Sequence, residues 1–326
     1  MKCILKLIIL LLLFSACKDA KKLELSNREQ VNSEFHIEIM DDEAKFLLDA
    51  NTPIEIIAKG FEWVEGPLWI ENGKYLLFSD VKRNKIYKLD ANGDTITYLF
   101  PSGYMGKDFK GPEPGSNGLL LNPEDELVMM QHGERKVVKM NASLNAPKTD
   151  FITLVEGFNG KKLNSPNDGT FDKLGNLYFT DPPYGLPLKD NDPEKELSFQ
   201  GVYCLLKTGE LKLLDSLTKP NGIALSPDES TLYVAVSDKE HAVWYSYDVL
   251  SEGAVSNKKL FYDVTYLVGK EGQQGLPDGM KVNRDGYIFA SGPGGIWIFN
   301  PKAIPIARIF TGKQTSNCTF SKDQKK

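Results

Sequence analysis

One short phrase recurs six times along this chain, and it fixes what the chain can fold into. Each copy sets a small polar stub ahead of an apolar stretch, a turn and a second apolar stretch. The copies read VEGPLWIENGKYLLFSD from Val64, SNGLLLNPEDELVMM from Ser116, SPNDGTFDKLGNLYFTD from Ser165, KPNGIALSPDESTLYVA from Lys219, LPDGMKVNRDGYIFASG from Leu276 and TSNCTFSKDQKK from Thr315. Aligned by phase, one column holds Glu65, Asn117, Asn167, Asn221, Asp278 and Asn317, every one a carboxylate or a primary amide. Successive members lie 52, 50, 54, 57 and 39 residues apart. A period of roughly 40–50 residues built from short strands predicts an all-β, six-bladed propeller, with the inner strand of each blade first. Strand-like runs such as KYLLFSD, NLYFTD and TLYVAV, separated by turn signals such as Asn72-Gly73 and Asp285-Gly286, fit that order.

Taken singly, Asn-Gly and Asp-Gly are ordinary turn dipeptides, because both residues tolerate positive φ. The shared phase carries more weight. A turn needs only some small residue, not an acceptor oxygen in all six copies, and Glu65 is a poor turn residue. In a propeller this position points into the central channel, where a ring of oxygen-bearing side chains suits a hard divalent cation.

The last copy ends at its turn, so the sixth blade is expected to lack its second strand, with open edges and exposed apolar surface. Either an N-terminal strand, for which TPIEIIAKG is the candidate, fills that gap or the chain is truncated. Two insertions break the period. PSGYMGKDFKGPEPG (101–115) and PPYGLPLKDNDPEKELSFQ (182–200) are rich in Gly, Pro and charge, and both are expected to be loops that cover substrate.

The N-terminus reads as a targeting segment. Lys2 and Lys6 precede the apolar run Leu7 to Phe14. That run is far shorter than the roughly 20 residues that span a bilayer. It ends in Phe14-Ser15-Ala16-Cys17, a lipobox-like sequence. The expected organisation is a lipoprotein signal peptide over 1–16, a lipid on Cys17, a polar tether over 17–50 and the propeller over 51–326. Such a chain is exported and lipid-anchored to a bacterial membrane on its periplasmic or cell-surface face. Cys204 and Cys318 are expected as buried free thiols, and the absence of CxxC gives no support to a zinc ribbon or a redox role. The net charge of -5 comes without a basic stripe, which disfavours nucleic acid as a partner. A monomer is expected. Of the three histidines, His36 falls in the tether and is expected to be inert, and His241 follows a charged turn and is expected to be exposed; His132, in MMQHGERKVV, lies where a channel mouth is built.

EGPLW, SPNDG, PNGIALSPDESTLYV and PDGM together resemble the superfamily of gluconolactonase, regucalcin (senescence marker protein) and luciferin-regenerating enzyme. The resemblance runs from about Pro53 to Phe320. It implies a six-bladed propeller with one catalytic divalent metal in the channel, calcium first, with magnesium, manganese or zinc as alternatives. Carried over by motif, the ligands are Glu65, Asn167, Asn221 and Asp278. Asp278 is the implied base or nucleophile. HGERKVV and FTDPPYG resemble the bacterial gluconolactonase branch, which implies His132, Asp181 and Tyr184 near the substrate, with His132 able to join the chemistry. Asn117, in the column but outside that ligand set, is expected on the substrate. The function so implied is a metal-dependent lactonase that opens a sugar lactone, the metal polarising the carbonyl and Asp278 assisting attack by water. The competing readings are an organophosphate or aryl-ester hydrolase on the same site, and a non-catalytic surface-tethered binding propeller.

Overall fold

The computed structural model describes residues 35–324. The signal peptide over 1–16 and the lipidation site Cys17 lie outside the described residues. The described chain is all-β, with only short 3-10 turns of helix; five antiparallel sheets stand in a propeller arrangement, and a separate two-stranded ribbon pairs Gly157–Phe158 with Lys161–Lys162. The first sheet holds Val64–Ile70, Tyr75–Asp80, Lys85–Leu89 and Thr95–Leu99; the second Ser116–Leu121, Leu127–Gln131, Lys136–Met140 and Phe151–Val155. The third holds Gly169–Phe171, Leu177–Asp181, Gly201–Leu205 and Leu211–Ser216; the fourth Pro220–Leu225, Thr231–Asp238, His241–Val249 and Val255–Asp263. The fifth holds Met280–Val282, Ile288–Gly292, Gly295–Phe299 and Pro305–Phe310, with His36–Ile39 added outside Pro305–Phe310. In each sheet the strand that follows the polar stub is innermost, as the order of the repeat predicts.

Burial follows from that layering. Second strands are covered on both faces by neighbouring sheets and read as near-continuous apolar runs; Leu127–Gln131 and Leu177–Asp181 are buried at every residue. Outermost strands are only half-covered, leaving Ile96, Ile152, Leu213 and Leu260 exposed. The core is therefore a series of wedges between adjacent sheets. Between the fourth and fifth, Trp244 packs edge-on to Phe299 with ring centroids 5.3 Å apart, and Trp297 stacks on Phe299 at 5.9 Å. Burying an aromatic side chain of this size contributes roughly 4–6 kcal/mol before entropy is subtracted.

The structure corrects three expectations. TPIEIIAKG forms no strand. The strand that joins from the N-terminal side is instead His36–Ile39, inside the stretch read as tether. It pairs antiparallel with Ala307–Phe310, and His36, expected to be inert, stacks on Phe310 at 4.3 Å. The following turn packs Ala44 into the fifth sheet, and Glu43 accepts hydrogen bonds from Tyr287 and Asn300. The strand His36–Ile39 thus packs with the body ahead of the boundary expected near residue 51. The sixth copy forms no ladder: residues 315–320 run without strand pairing. They still bridge two sheets, because the Ser316 carbonyl accepts from Gly279 N–H at 2.7 Å and the Ser316 hydroxyl donates to the Val64 carbonyl at 2.6 Å. Phe320 packs edge-on against Phe289 at 5.0 Å. His241 is exposed, as expected. Cys204 and Cys318 are free, the first buried and the second half-buried.

The glycines after the stubs serve close approach rather than turns. A Cβ on Gly222 would come to 2.1 Å from the Asp278 carbonyl oxygen, and one on Gly118 to 2.6 Å from that of Asn167. At these places one stub is pressed against the backbone of the next around the ring, and only glycine leaves room for that contact.

Candidate active site

The stubs converge on a cavity of about 340 Å³ at the channel mouth, lined by Glu65, Asn117, Asn167, Asn221 and Asp278 together with groups from both insertions. All five of these column residues are buried, none above 8% exposed. Four of the predicted ligands, Glu65, Asn167, Asn221 and Asp278, therefore share one pocket with Asn117, and Tyr184 lines it too. Asn317, the sixth member, is half-buried beside them, its amide 3.5 Å from the Asp168 carboxylate.

The polar atoms here are under-satisfied. Asn117 Oδ1, Asn221 Oδ1 and Asp278 Oδ1 are buried without a hydrogen-bond partner in the structure. Native proteins leave few such atoms, because each costs roughly 1–3 kcal/mol. Charge points the same way. Burial, then the charges of Asp168 and Glu113, pushes the Glu65 carboxyl up to about 8, against the hydrogen bonds it accepts from Trp63 and Asn317. Burial, then Glu65, Asp168 and Glu113, holds Asp278 well above the usual carboxylate range. Converging orphaned oxygens around uncompensated carboxylates fit a hard divalent cation. Among the described residues no three His, Cys, Asp or Glu side chains form a ligand cluster. The donor set that fits is two carboxylates with amide oxygens.

A second column holds this one in place. Near the end of four second strands a hydroxyl reaches across to the neighbouring stub. Ser79 donates to the Asn117 carbonyl at 2.8 Å, Thr180 to that of Asn221 at 2.6 Å and Ser291 to that of Ser316 at 2.8 Å, and Ser237 donates to that of Pro277. Met130 occupies the place in the second sheet, where the run MMQ has no hydroxyl.

Two predicted substrate residues lie elsewhere. Asp181 is fully buried away from the cavity, and its carboxylate accepts from the backbone N–H groups of Asn164 and Ser165, each at 2.8 Å. Asp80 does the same in the first sheet, accepting from Glu62 and Trp63 N–H at 3.2 Å. The aspartate after the hydroxyl thus anchors the segment leading into its own sheet's stub. Burial pushes Asp181 up to about 7 despite those hydrogen bonds and the charges of Arg135 and Lys195. His132 is fully buried and does not line the cavity; its Nδ1 lies 2.8 Å from Oε2 of Glu113, which does.

The sequence reading missed Glu113 and Lys189, one from each insertion, Trp63 and Ser237 at the wall, and Asp168 behind Glu65. Both insertions supply lining groups, as their length suggested. Ser237 was marked by the hydroxyl recurring in FSD, FTD, VSD and ASG.

Comparison with known proteins agrees with the fold. Residues 63–326 match the family described as SMP-30/Gluconolactonase/LRE-like region. The chain is 39% identical over 279 residues to a gluconolactonase from Zymomonas mobilis, covering 84% of this chain and 77% of that one. The solved structure of a gluconolactonase from Xanthomonas campestris superposes with a TM-score of 0.75 at 28% identity, over 89% of each chain. A calcium-binding regucalcin from Agrobacterium tumefaciens shares the fold at 16% identity and a TM-score of 0.58, over 79% of this chain and 78% of that one. The chain belongs to the SMP-30/gluconolactonase/LRE-like family.

Proposed function

We propose that this family member is a divalent-metal-dependent hydrolase that opens sugar lactones. Its standing as a gluconolactonase-like lactone hydrolase rests on the relatives it resembles over most of its length. The metal requirement rests on one observation, the convergence of unpartnered buried oxygens of Asn117, Asn221 and Asp278 on the cavity that Glu65 also lines. Glu65, Asn167, Asn221 and Asp278 would hold the ion, with calcium the first candidate and magnesium, manganese or zinc behind it. When bound, such an ion supplies a Lewis acid that polarises the lactone carbonyl.

The remaining steps belong to the chain. Asp278, as a carboxylate, takes the proton of the attacking water. Tyr184 and Asn117 line the cavity within reach of a bound sugar ring and would orient it. Glu113, Tyr184 and Lys189, from the insertions, narrow the mouth against water.

Two further parts belong to this proposal. The ring has six positions, the sixth held by residues 315–320, a reading supported by the Ser316 bridges between the fifth and first sheets. The protein is exported and carries lipid on Cys17, which mass spectrometry of the membrane fraction checks.

A panel of aldonolactones, aryl esters and organophosphates, assayed before and after exhaustive chelation, tests the function. Chelator-sensitive opening of aldonolactones alone is the expected result. Preference for aryl esters or organophosphates moves the protein to another hydrolase class. Full turnover by metal-free protein removes the metal from the mechanism, and inertness toward the whole panel leaves a binding propeller.

A further inference from the structure

Glu113 and His132 form a pair that the ligand column does not use. Glu113 sits between Pro112 and Pro114 in the 101–115 insertion, and its side chain, 19% exposed, lines the cavity. Its Oε2 lies 2.8 Å from His132 Nδ1. A carboxylate offers only acceptors, so the imidazole hydrogen sits on Nδ1 and His132 donates. The ring makes no other hydrogen bond: Nε2 is buried without a partner. The backbone N–H of His132 donates to the Gly115 carbonyl at 3.1 Å, which ties the histidine to the insertion that carries Glu113. Gly185, from the second insertion, packs against its Cβ; a Cβ on that glycine would come to 3.0 Å.

The whole polar function of a fully buried histidine is thus directed at one carboxylate oxygen. The other oxygen, Oε1, has no donor among the described residues. A carboxylate tied at one oxygen and facing a polar cavity with the other is an acceptor for hydroxyl groups, and its fixed orientation makes it selective. We propose that Glu113, oriented by His132, accepts hydrogen bonds from the ring hydroxyls of a polyhydroxylated lactone and so sets the specificity of the site. Glu113 lies outside the repeat column, which separates it from the groups that would hold the ion. His132 is then a positioning residue, behind the wall it supports. The inference rests on the lactonase reading and narrows its substrate to hydroxylated rings.

The test compares D-glucono-1,5-lactone with δ-valerolactone, which has the same ring without hydroxyls, on the metal-loaded full chain. Glu113→Gln should lower kcat/KM for the hydroxylated lactone about 10- to 100-fold, mainly through KM, and lower it much less for the bare ring. The selectivity ratio should fall at least about tenfold. His132→Asn, which keeps a donor near the Nδ1 position, should retain most of that ratio, and His132→Leu should lose it. An equal fall on both lactones in Glu113→Gln overturns the proposal. If the wild type opens neither lactone, the lactonase reading fails, and calorimetry with D-gluconate and 5-hydroxypentanoate decides the Glu113 contact instead. Selective weakening of gluconate binding in Glu113→Gln supports it. Parallel weakening, or a wild type that does not bind gluconate, refutes it.

Discussion

The Thr180 hydroxyl donates to the backbone carbonyl of Asn221 at 2.6 Å, tying the second strand of the third sheet to the ligand-bearing stub of the fourth. Ser79, Ser237 and Ser291 repeat the connection elsewhere around the ring. The site is therefore positioned between sheets rather than within them: four stubs receive a fixed point from a hydroxyl of the preceding sheet, and the stub of Asn167, which follows Met130, does not. Inner strands such as Gly169–Phe171 are only three residues long, too short to hold a side chain in place by ladder pairing alone.

Thr180→Val keeps shape and removes the donor, which leaves a buried carbonyl unpaired. The expected cost is about 1–3 kcal/mol in denaturant unfolding. Because the lost bond ends on Asn221, affinity for the divalent ion should weaken as well. A variant that loses stability yet binds the ion as the wild type does would show that the hydroxyl holds the fold and not the site.

Metal affinity should rise with pH. The Glu65 carboxyl is pushed up to about 8 by burial first and by Asp168 and Glu113 next, so below that pH the metal-free site holds a proton. An ion bound through oxygen ligands must displace it. The apparent Kd should fall about tenfold for each pH unit between 6 and 8, then level off. Asp278, also raised, steepens the slope. Calorimetry in buffers of different ionisation enthalpy reads the released proton directly. A Kd flat from pH 6 to 8 would contradict the assignment of Glu65 as a ligand.

Asp278→Asn separates binding from chemistry. The proposed ligand set already includes the amides of Asn167 and Asn221, so a third amide oxygen should hold the ion with modest loss, whereas an amide cannot accept the proton of the attacking water. Turnover should fall by roughly two or more orders of magnitude while metal binding falls far less. Near-native turnover would leave Asp278 as a ligand only.

The polar column was legible because phase is a local property: a repeated stub before a repeated strand puts the same position on the channel in each copy. Glu65, Asn117, Asn167, Asn221 and Asp278 all arrived where the period put them. Asp168 was hidden beside Asn167, since a stub of two adjacent polar residues does not say which faces the channel. Glu113 stands in an insertion, which has no period to read. Asp181 was misplaced because a motif likeness carries residue type and not direction; Asp80, at the matching place in FSD, shows the anchoring role that both play. His36–Ile39 was missed because four residues in a charged stretch acquire a strand only from a partner roughly 270 residues away, a contact that no local pattern encodes.

The same Asp181 gives a linkage prediction that does not involve the cavity. Its carboxyl is pushed up to about 7 in the folded protein, chiefly by burial, against an ordinary value near 3.8. Between these values the native state holds a proton that the unfolded chain releases, so stability attributable to Asp181 is fully present below about pH 4 and declines as pH rises through 7. The rise from 3.8 to about 7 bounds the effect at about 4 kcal/mol. Asp181→Asn cannot ionise. It accepts through one oxygen and turns an NH2 toward the other backbone N–H, where the protonated carboxyl still accepts through its hydroxyl oxygen, so it should be less stable than the wild type at pH 5 by about 1–3 kcal/mol. That deficit should shrink steadily toward pH 8, and it can change sign there. Urea unfolding of both proteins with chelator present, from pH 5 to 8, measures the difference while titrations common to both cancel. A deficit that stays constant, or grows with pH, would mean that Asp181 is charged in the native protein throughout that range and that its hydrogen bonds outweigh its burial.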